Sequence, residues 1–595
     1  MKKKIISLLL VLIMILSSCF ILAACNDNEG DDDPSKKPPI NTGGEGDWWS
    51  QVMYDETELR FQLTECPDAG LHPNTKRLLE GKEEASLGRP LDDMIAERND
   101  NAYFNTKVKV TYLYYGTDET LYGWSNVMNT IYNEVQNKSQ YSPDIYCNFM
   151  SDMLATSLKG SFANVLSESR NSAGVGTVSN FFKVDASINN EGYEHSGYMS
   201  DLMSSLTLSD EKFYVIASDY FIDLIRAFFV VPVNRTLYNS IAPKMFLDDK
   251  NNNGVQDEGE EIIDLNHDGV VDMNDFFVEV TNNDWTYDRL IQYCAAVAVD
   301  RNNNGSWEYV DTLGFALDRE GGMMASGLMY TTTCVIINKT WNEDDMQWEY
   351  GYPQSKDANN NDVEIELFGF ISKVNTLFSS KGVTSFINDE VGKAPVQAIC
   401  EKFVANDILF GGIITVGNLE NSEYQGMKGE KGGFGVVPVP VYTNIDPKTG
   451  EKFTYAPYQT QIHTSGGAGG ISHVTTKFTQ CSAFIHYQST HSTEILNEYY
   501  DNNLTLDVSD GLQGNVDMLK YIRNNVRTSF DKLFEDAIAF FNLQTDSLAK
   551  HKRWHHILMG QSYKIDSFRT YYDQYVGKKQ DQLLALVDEY VKLPD

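Results

Sequence analysis

The chain has 595 residues, with 48 Lys and Arg against 84 Asp and Glu, and a net charge of −36. That imbalance excludes nucleic acid and an anionic membrane face as partners of the body, because both are bound by clustered Lys and Arg that release counterions. A chain with 42% hydrophobic and 12% aromatic residues is also no disordered acidic tail, and its length fits two to four domain-sized units or one long two-lobed fold.

Residues 1–25 run from a basic start, Lys2 to Lys4, through an apolar stretch to Leu22-Ala23-Ala24-Cys25, the layout of a secretory signal. The ending resembles the bacterial lipobox. The resemblance implies that 1–24 is a lipoprotein signal peptide, that Cys25 carries lipid, and that the protein sits on the extracellular face of the cell membrane, held through an N-terminal lipid anchor. An ordinary signal anchor is the alternative, since about 20 apolar residues can span a bilayer. Residues 25–50 are polar, rich in Gly and Pro and without apolar periodicity, and read as a flexible tether. Residues 51–100 match no recognised pattern and form an unassigned N-terminal extension. Cys66, Cys147, Cys294, Cys334, Cys400 and Cys481 are scattered singly, which suits buried thiols and neither a disulfide framework nor a CxxC metal site.

From residue 104 the pattern is α/β. Lys107–Tyr114 is rich in β-branched and aromatic residues and predicts a strand. Leu121, Trp124, Met128, Ile131 and Val135 share one helical face, and Ile145-Tyr146-Cys147-Asn148 after Ser142-Pro143-Asp144 predicts a short buried strand. Strand, helix and strand suggest a βαβ unit in a parallel sheet, whose ligands sit at the carboxyl ends of strands, here Tyr114, Tyr115 and Asn148. Phe228–Val233 and Gly433–Pro440 predict strands punctuated by proline. Trp285–Ala298 predicts a helix with Asp284 as a possible N-cap, Thr464–Gly470 a glycine-rich link, and 560–595 a terminal helix.

Taken in order, five segments resemble extracellular solute-binding proteins of ABC importers, of the maltose-binding-protein-like family 1 type. They are Pro143-Asp144-Ile145, Val231–Tyr238, Trp285-Thr286-Tyr287-Asp288, Gly435–Pro440, and Gly467–Ile471 with the helix after it. The resemblance implies an α/β, two-lobed periplasmic-binding-protein-like fold with a hinge between the lobes; the chain is longer than typical members, and residues 245–312 read as a calcium-loop insertion. Lobe 1 would take 101–230 and 470–550, and lobe 2 would take 231–465 and 551–595. It further implies a monomeric, non-enzymatic protein that captures a carbohydrate, an oligosaccharide by expectation, and delivers it to permease subunits of an ABC transporter. Where many members have Gly-x-Trp, this chain has Gly417-Asn418-Leu419-Glu420. Sugars are held by aromatic faces and by side-chain oxygens accepting from hydroxyls. The ligand candidates are therefore Tyr114, Tyr115, Trp124, Asn148, Asp152, Trp285, Asn418, Glu420 and Tyr458. Tyr115 and Asn148 follow from strand-tip geometry, and Trp285, Asn418 and Glu420 from position in the resemblance. Trp285 could equally serve as a staple packed against its own helix.

The insertion carries the sharpest local chemistry. Three twelve-residue segments fit the calcium loop, with oxygen-bearing side chains at positions 1, 3, 5, 9 and 12 and Gly at 6. The first has Asp249, Asn251, Asn253, Asp257 and Glu260. The second has Asp264, Asn266, Asp268, Asp272 and Asp275, and the third has Asp300, Asn302, Asn304, Glu308 and Asp311. Asp at position 12 in the last two is shorter than the usual bidentate Glu, and Asn/Asp/Gly turns also form without metal. Three residues between the first two loops leave no room for paired helix-loop-helix hands, so the expected role of Ca2+ is structural.

No phosphate loop, H-E-x-x-H or G-x-S-x-G occurs, and the histidines 551, 555 and 556 have no acid placed with them. The alternatives are a calcium-stabilised surface glycan-binding or adhesion protein and, less favoured, a surface glycan-active enzyme.

Overall fold

The computed structural model describes residues 56–63, 79–81, 90–114, 124–137, 142–167, 197–209, 212–251, 256–319, 322–330, 337–343, 347–356, 359, 361–427, 433–445, 452–454, 460–463, 466–504, 513–527 and 565–594. The signal segment with Cys25, the tether, Tyr115, Asn253, Tyr458 and the histidines 551, 555 and 556 lie outside them. Among the described residues no helix is long and apolar enough to cross a membrane.

The first lobe is built on a four-stranded sheet. Its strands are β1 (Thr57–Leu63), β2 (Val108–Tyr114), β3 (Ile145–Phe149) and, from far along the chain, β15 (Gly467–Ile471). The order is β15-β3-β1-β2, with β1 parallel to both β2 and β3 and β15 antiparallel to β3. The predicted strands 107–114 and 145–148 are thus not neighbours, because β1, from the stretch left unassigned, lies between them. Its alternate Leu59, Phe61 and Leu63 are fully buried. Asp144 fixes the register: its N–H donates to the Arg60 carbonyl at 2.8 Å and its carboxylate accepts from Arg60 N at 3.0 Å and Thr475 Oγ1 at 2.6 Å. The helix Pro90–Thr106 also belongs to this lobe, since Arg98 donates to Ser492 Oγ at 2.8 Å and Asn105 to the Tyr487 hydroxyl at 3.1 Å.

The second lobe holds a six-stranded sheet. Its strands are β4 (Phe229–Asn234), β5 (Leu313–Asp318), β8 (Val383–Phe386), β9 (Ile408–Phe410), β10 (Ile414–Thr415) and β11 (Phe434–Val437), in the order β10-β4-β9-β5-β8 with β11 on β4. A hairpin, β6 (Asn338–Asn342) and β7 (Gln347–Gly351), and a second, β12 (Thr443–Ile445) and β13 (Lys452–Thr454), stand apart from it. The Asn234 side chain accepts from Leu237 N at 3.0 Å and so starts the helix Arg235–Met245. Thr286, not Asp284, caps the helix Tyr287–Val297, its hydroxyl accepting from Arg289 N at 3.2 Å.

Two segments cross between the lobes side by side. Phe228 bridges Ile462 antiparallel, and His463 N donates to the Ala227 carbonyl at 2.8 Å. The second crossing continues from β14 (Thr460–Gln461) into β15, which the glycine pattern presents as a link but which is a buried strand; β14 pairs in parallel with β16 (Val526–Arg527). Two stretches depart from the expected lobe division. The helix Gln513–Asn524 docks on the second lobe, where Asn515 accepts from Val436 N at 2.9 Å and donates to the Phe434 carbonyl at 3.1 Å. The final helix, Ile565–Val591, touches both lobes.

Candidate functional site

The carboxyl end of β3 delivers Asn148 and, one turn into the helix Met150–Ser157, Asp152. Both are buried, and Asn148 Nδ2 donates to Asp152 Oδ2 at 3.3 Å. Burial pushes the Asp152 carboxyl up to about 7, against the opposing hydrogen bond from Asn148. The other end of the same amide, Asn148 Oδ1, is buried without a hydrogen-bond partner among the described residues, which is costly unless something donates to it.

This pair adjoins the crossing segments: Met150 N donates to the Gly466 carbonyl at 2.8 Å, and Phe149 pairs with Gly467. Beside the crossing lies a charged cluster. Arg226 of the first lobe meets Asp223 at 2.8 Å and, across the lobes, Glu420 through Nε at 2.9 Å and Nη2 at 3.0 Å. Tyr499 donates to Glu420 Oε1 at 2.6 Å. Burial alone would push the Arg226 guanidinium down, but Glu420 and Asp223 hold it above its ordinary range. A second buried ion pair joins Asp219 to Arg523, with Nε at 3.0 Å from Oδ1.

Of the ligand candidates, Asn148 and Asp152 stand together. Tyr114, at the end of β2, is half-buried and its hydroxyl donates to Glu80. Trp124 opens the helix Trp124–Asn137, its side chain lying outside the described residues. Trp285 is a correction: it is a core residue, with Nε1 donating to the Pro438 carbonyl at 2.8 Å and its ring 4.9 Å from Phe276 and 5.4 Å from Phe410. Asn418 spends its carboxamide oxygen on its own turn, accepting from Thr415 N at 3.1 Å and Thr415 Oγ1 at 2.9 Å. Glu420 is engaged by Arg226 and Tyr499 rather than held open for a ligand. Asp223 and Arg226 escaped the sequence reading, although charges set in the apolar run 219–233 were a signal, since buried charges need partners.

The three Asp/Asn loops share one hydrogen-bond scheme. In each, the carboxylate at position 12 accepts from the N–H groups at positions 2 and 9. These are Lys250 at 2.9 Å and Asp257 at 3.0 Å onto Glu260, Leu265 at 2.7 Å and Asp272 at 2.8 Å onto Asp275, and Arg301 at 3.0 Å and Glu308 at 2.8 Å onto Asp311. Asp264 and Asp300 at position 1 accept from Gly269 and Gly305 at 2.7 and 2.8 Å, and both glycines have positive φ. Asp300 Oδ1 is sealed from solvent without a hydrogen-bond partner among the described residues. Among the described residues no three His, Cys, Asp or Glu side chains come close enough to hold a metal by themselves.

No family model matches the chain, and no curated protein matches it. Solved structures do. The sugar-binding protein MalE from Xanthomonas citri aligns over 89% of this chain and 99% of its own, at 9% identity and a TM-score of 0.47. A probable secreted solute-binding lipoprotein from Streptomyces coelicolor aligns over 90% and 99%, at 11% identity and a TM-score of 0.45. The galacto-N-biose/lacto-N-biose I-binding protein of a Bifidobacterium longum ABC transporter aligns over 90% and 98%, at 10% and 0.44. Over most of its length, at low identity, the chain is similar to these solute-binding proteins.

Proposed function

We propose that the chain is a non-catalytic capture protein that closes its two lobes on a carbohydrate, an oligosaccharide by preference, and passes it to the permease of an ABC transporter, held to the outer face of the membrane by lipid on Cys25. One observation carries the reading: Asn148 Oδ1, a buried acceptor with no donor among the described residues, lies at the carboxyl end of a sheet strand beside the interlobe crossing. Ligands of open α/β sheets bind at such strand ends, and a sugar hydroxyl can donate to Asn148 and to Asp152. The sequence motifs in family order support the same class of ligand. A thermal-shift and calorimetry panel of mono- and oligosaccharides, peptides and polyamines tests it. An oligosaccharide that raises Tm in the parent, and loses at least tenfold in affinity in Asn148→Ala, is expected. No shift with any sugar at millimolar concentration overturns the reading, and release of product from a bound glycan overturns its non-catalytic part.

A second reading concerns the loops. The common hydrogen-bond scheme and the orphaned Asp300 Oδ1 support Ca2+ in the insertion, where Asp249, Asn251, Asn253, Asp257 and Glu260, with their counterparts Asp264, Asn266, Asp268, Asp272 and Asp275 and Asp300, Asn302, Asn304, Glu308 and Asp311, would supply oxygens. The ion would neutralise acids and pin the loops. Three residues of this set, Asp264, Asp268 and Asp300, are the ones whose loss isothermal titration with Ca2+ should register first.

A further inference from the structure

The helix Ile565–Val591 holds the two lobes by different chemistry at its two ends. Its first half is fixed to the second lobe by rings. Phe568 and Tyr572 are fully buried, with centroids 6.2 and 5.4 Å from Phe368, and the Tyr572 hydroxyl donates to the Pro353 carbonyl at 2.7 Å. Gln580 then accepts from Tyr352 N at 2.9 Å and donates to the Tyr350 carbonyl at 3.1 Å, clasping the chain at the end of β7. The last turn reaches the first lobe instead. There the Tyr590 hydroxyl donates to the Lys212 carbonyl at 2.9 Å, Lys212 Nζ donates to the carbonyls of Val591, at 3.0 Å, and of Leu593, and Tyr214 donates to the Pro594 carbonyl at 2.9 Å. The rings of Tyr214 and Tyr590 meet edge-on at 5.5 Å. Residues 212–216 are first-lobe chain: the Phe213 carbonyl accepts from Val165 N at 2.8 Å, and Ile216 bridges Gly469 of β15.

A helix of 27 residues is a rod of about 40 Å. Fixed at both ends, it cannot follow a rotation of one lobe against the other about the paired crossings. One end must give, and the chemistry selects which. Edge-on packing of the fully buried Phe568 and Tyr572 on Phe368 anchors the second-lobe end, whereas the first-lobe end buries Tyr590 and Leu593 and otherwise relies on hydrogen bonds, largely to carbonyls that a helix terminus leaves unpaired and that water can satisfy. We propose that the terminal helix is a strap with a releasable foot on the first lobe: seated, it fixes the interlobe angle, and rotation of the lobes requires the foot to leave. The proposal depends on the capture reading only for what the rotation serves.

The test needs no ligand, so strap and capture can fail separately. The full chain is spin-labelled at Asn137 and Lys381, exposed residues of the first and second lobe, through ketone chemistry that leaves native thiols alone. Interlobe distances are then compared between the parent and a Lys212→Ala/Tyr590→Phe variant. A distribution broadened or moved by several ångströms, with Tm within a few degrees of the parent, is expected. Deleting residues 589–595 removes the foot outright and covers the case in which the double variant leaves it seated. Distances that superimpose on the parent's after that deletion overturn the strap.

Discussion

Arg226 and Glu420, 194 residues apart, face one another across the lobes as a two-pronged ion pair, Nε to Oε1 at 2.9 Å and Nη2 to Oε2 at 3.0 Å. The Arg226 side chain is 7% exposed and that of Glu420 22%. Two parallel bonds fix angle as well as distance, so the pair orients the Val416–Glu420 turn of one lobe on the Ile222–Arg226 helix of the other. Removing one partner leaves a buried charge; replacing both with apolar groups does not. Glu420→Gln is therefore expected to cost about 3 kcal/mol, with Asp223 still holding Arg226, and Arg226→Leu/Glu420→Leu distinctly less. Urea unfolding of the two single variants and the double variant measures the coupling. A loss in Arg226→Leu/Glu420→Leu equal to the sum of the losses in Arg226→Leu and Glu420→Leu would show that the pair carries no interlobe energy.

Asp152 makes stability depend on pH. Its carboxyl titrates near 7 in the folded chain because burial disfavours the charge, against about 3.9 unfolded. Between those values the folded state binds the extra proton, so this group's contribution is fully present below about pH 4 and is lost as pH rises to about 7. At about 1.4 kcal/mol per unit, the group costs a few kcal/mol at pH 8, and Asp152→Asn should remove that cost. The variant's stability curve should diverge upward from the parent's between pH 4 and 7. Parallel curves across that window would contradict the burial account.

The sequence made some of this site legible and hid the rest for identifiable reasons. β2 and β3 were readable because β-branched and aromatic runs bounded by Ser-Pro-Asp leave few other structures. β1 escaped because Glu58, Arg60 and Gln62 alternate with its buried Leu59, Phe61 and Leu63, a half-polar pattern that looks like a surface segment until its two flanking strands are known. Asn148 followed from strand-tip geometry. The ion pairs did not, since nothing in a single sequence links Arg226 to Glu420, or Asp219 to Arg523 across 304 positions. Trp285 misled because a tryptophan opening a helix serves core and cleft equally well. Its indole N–H, satisfied by Pro438, is a contact 153 residues away.

The loops predict a calcium-dependent Tm. Asp300 Oδ2 accepts from Gly305 N and Asn304 Oδ1 from Ser306 N within the same loop, which leaves Asp300 Oδ1 without a partner among the described residues, the arrangement that a hard cation would complete. A ligand that binds only the folded state at about 100 times its Kd adds about 2.7 kcal/mol per site. Calorimetry in EDTA and in excess Ca2+ should therefore give separated transitions, and Asp300→Asn should narrow the gap while leaving the EDTA curve almost in place. A Tm that ignores EDTA would make the loops plain Asn/Asp turns. Mg2+ should substitute poorly, since it prefers a rigid octahedral shell.

Gly469 tests the strand that replaced the expected link. It pairs with Cys147 of β3 and bridges Ile216, and a Cβ at this position would stand 2.3 Å from Cζ of the Phe221 ring. Neither backbone can retreat, because Ile216 N donates to the Gly469 carbonyl at 2.8 Å and Gly469 N to the Ile216 carbonyl at 3.0 Å. The ring must move, and it is fully buried, 5.0 Å from the ring of Tyr220. Gly469→Ala is expected to lose about 2–3 kcal/mol, the range for overpacking a filled core. Phe221→Leu should recover part of that loss by vacating the ring's edge, even though it is destabilising alone. Denaturant midpoints of the three variants decide the matter: a neutral Gly469→Ala would mean that residues 467–471 form a compliant link, whereas rescue by the second substitution would fix the clash as the cause.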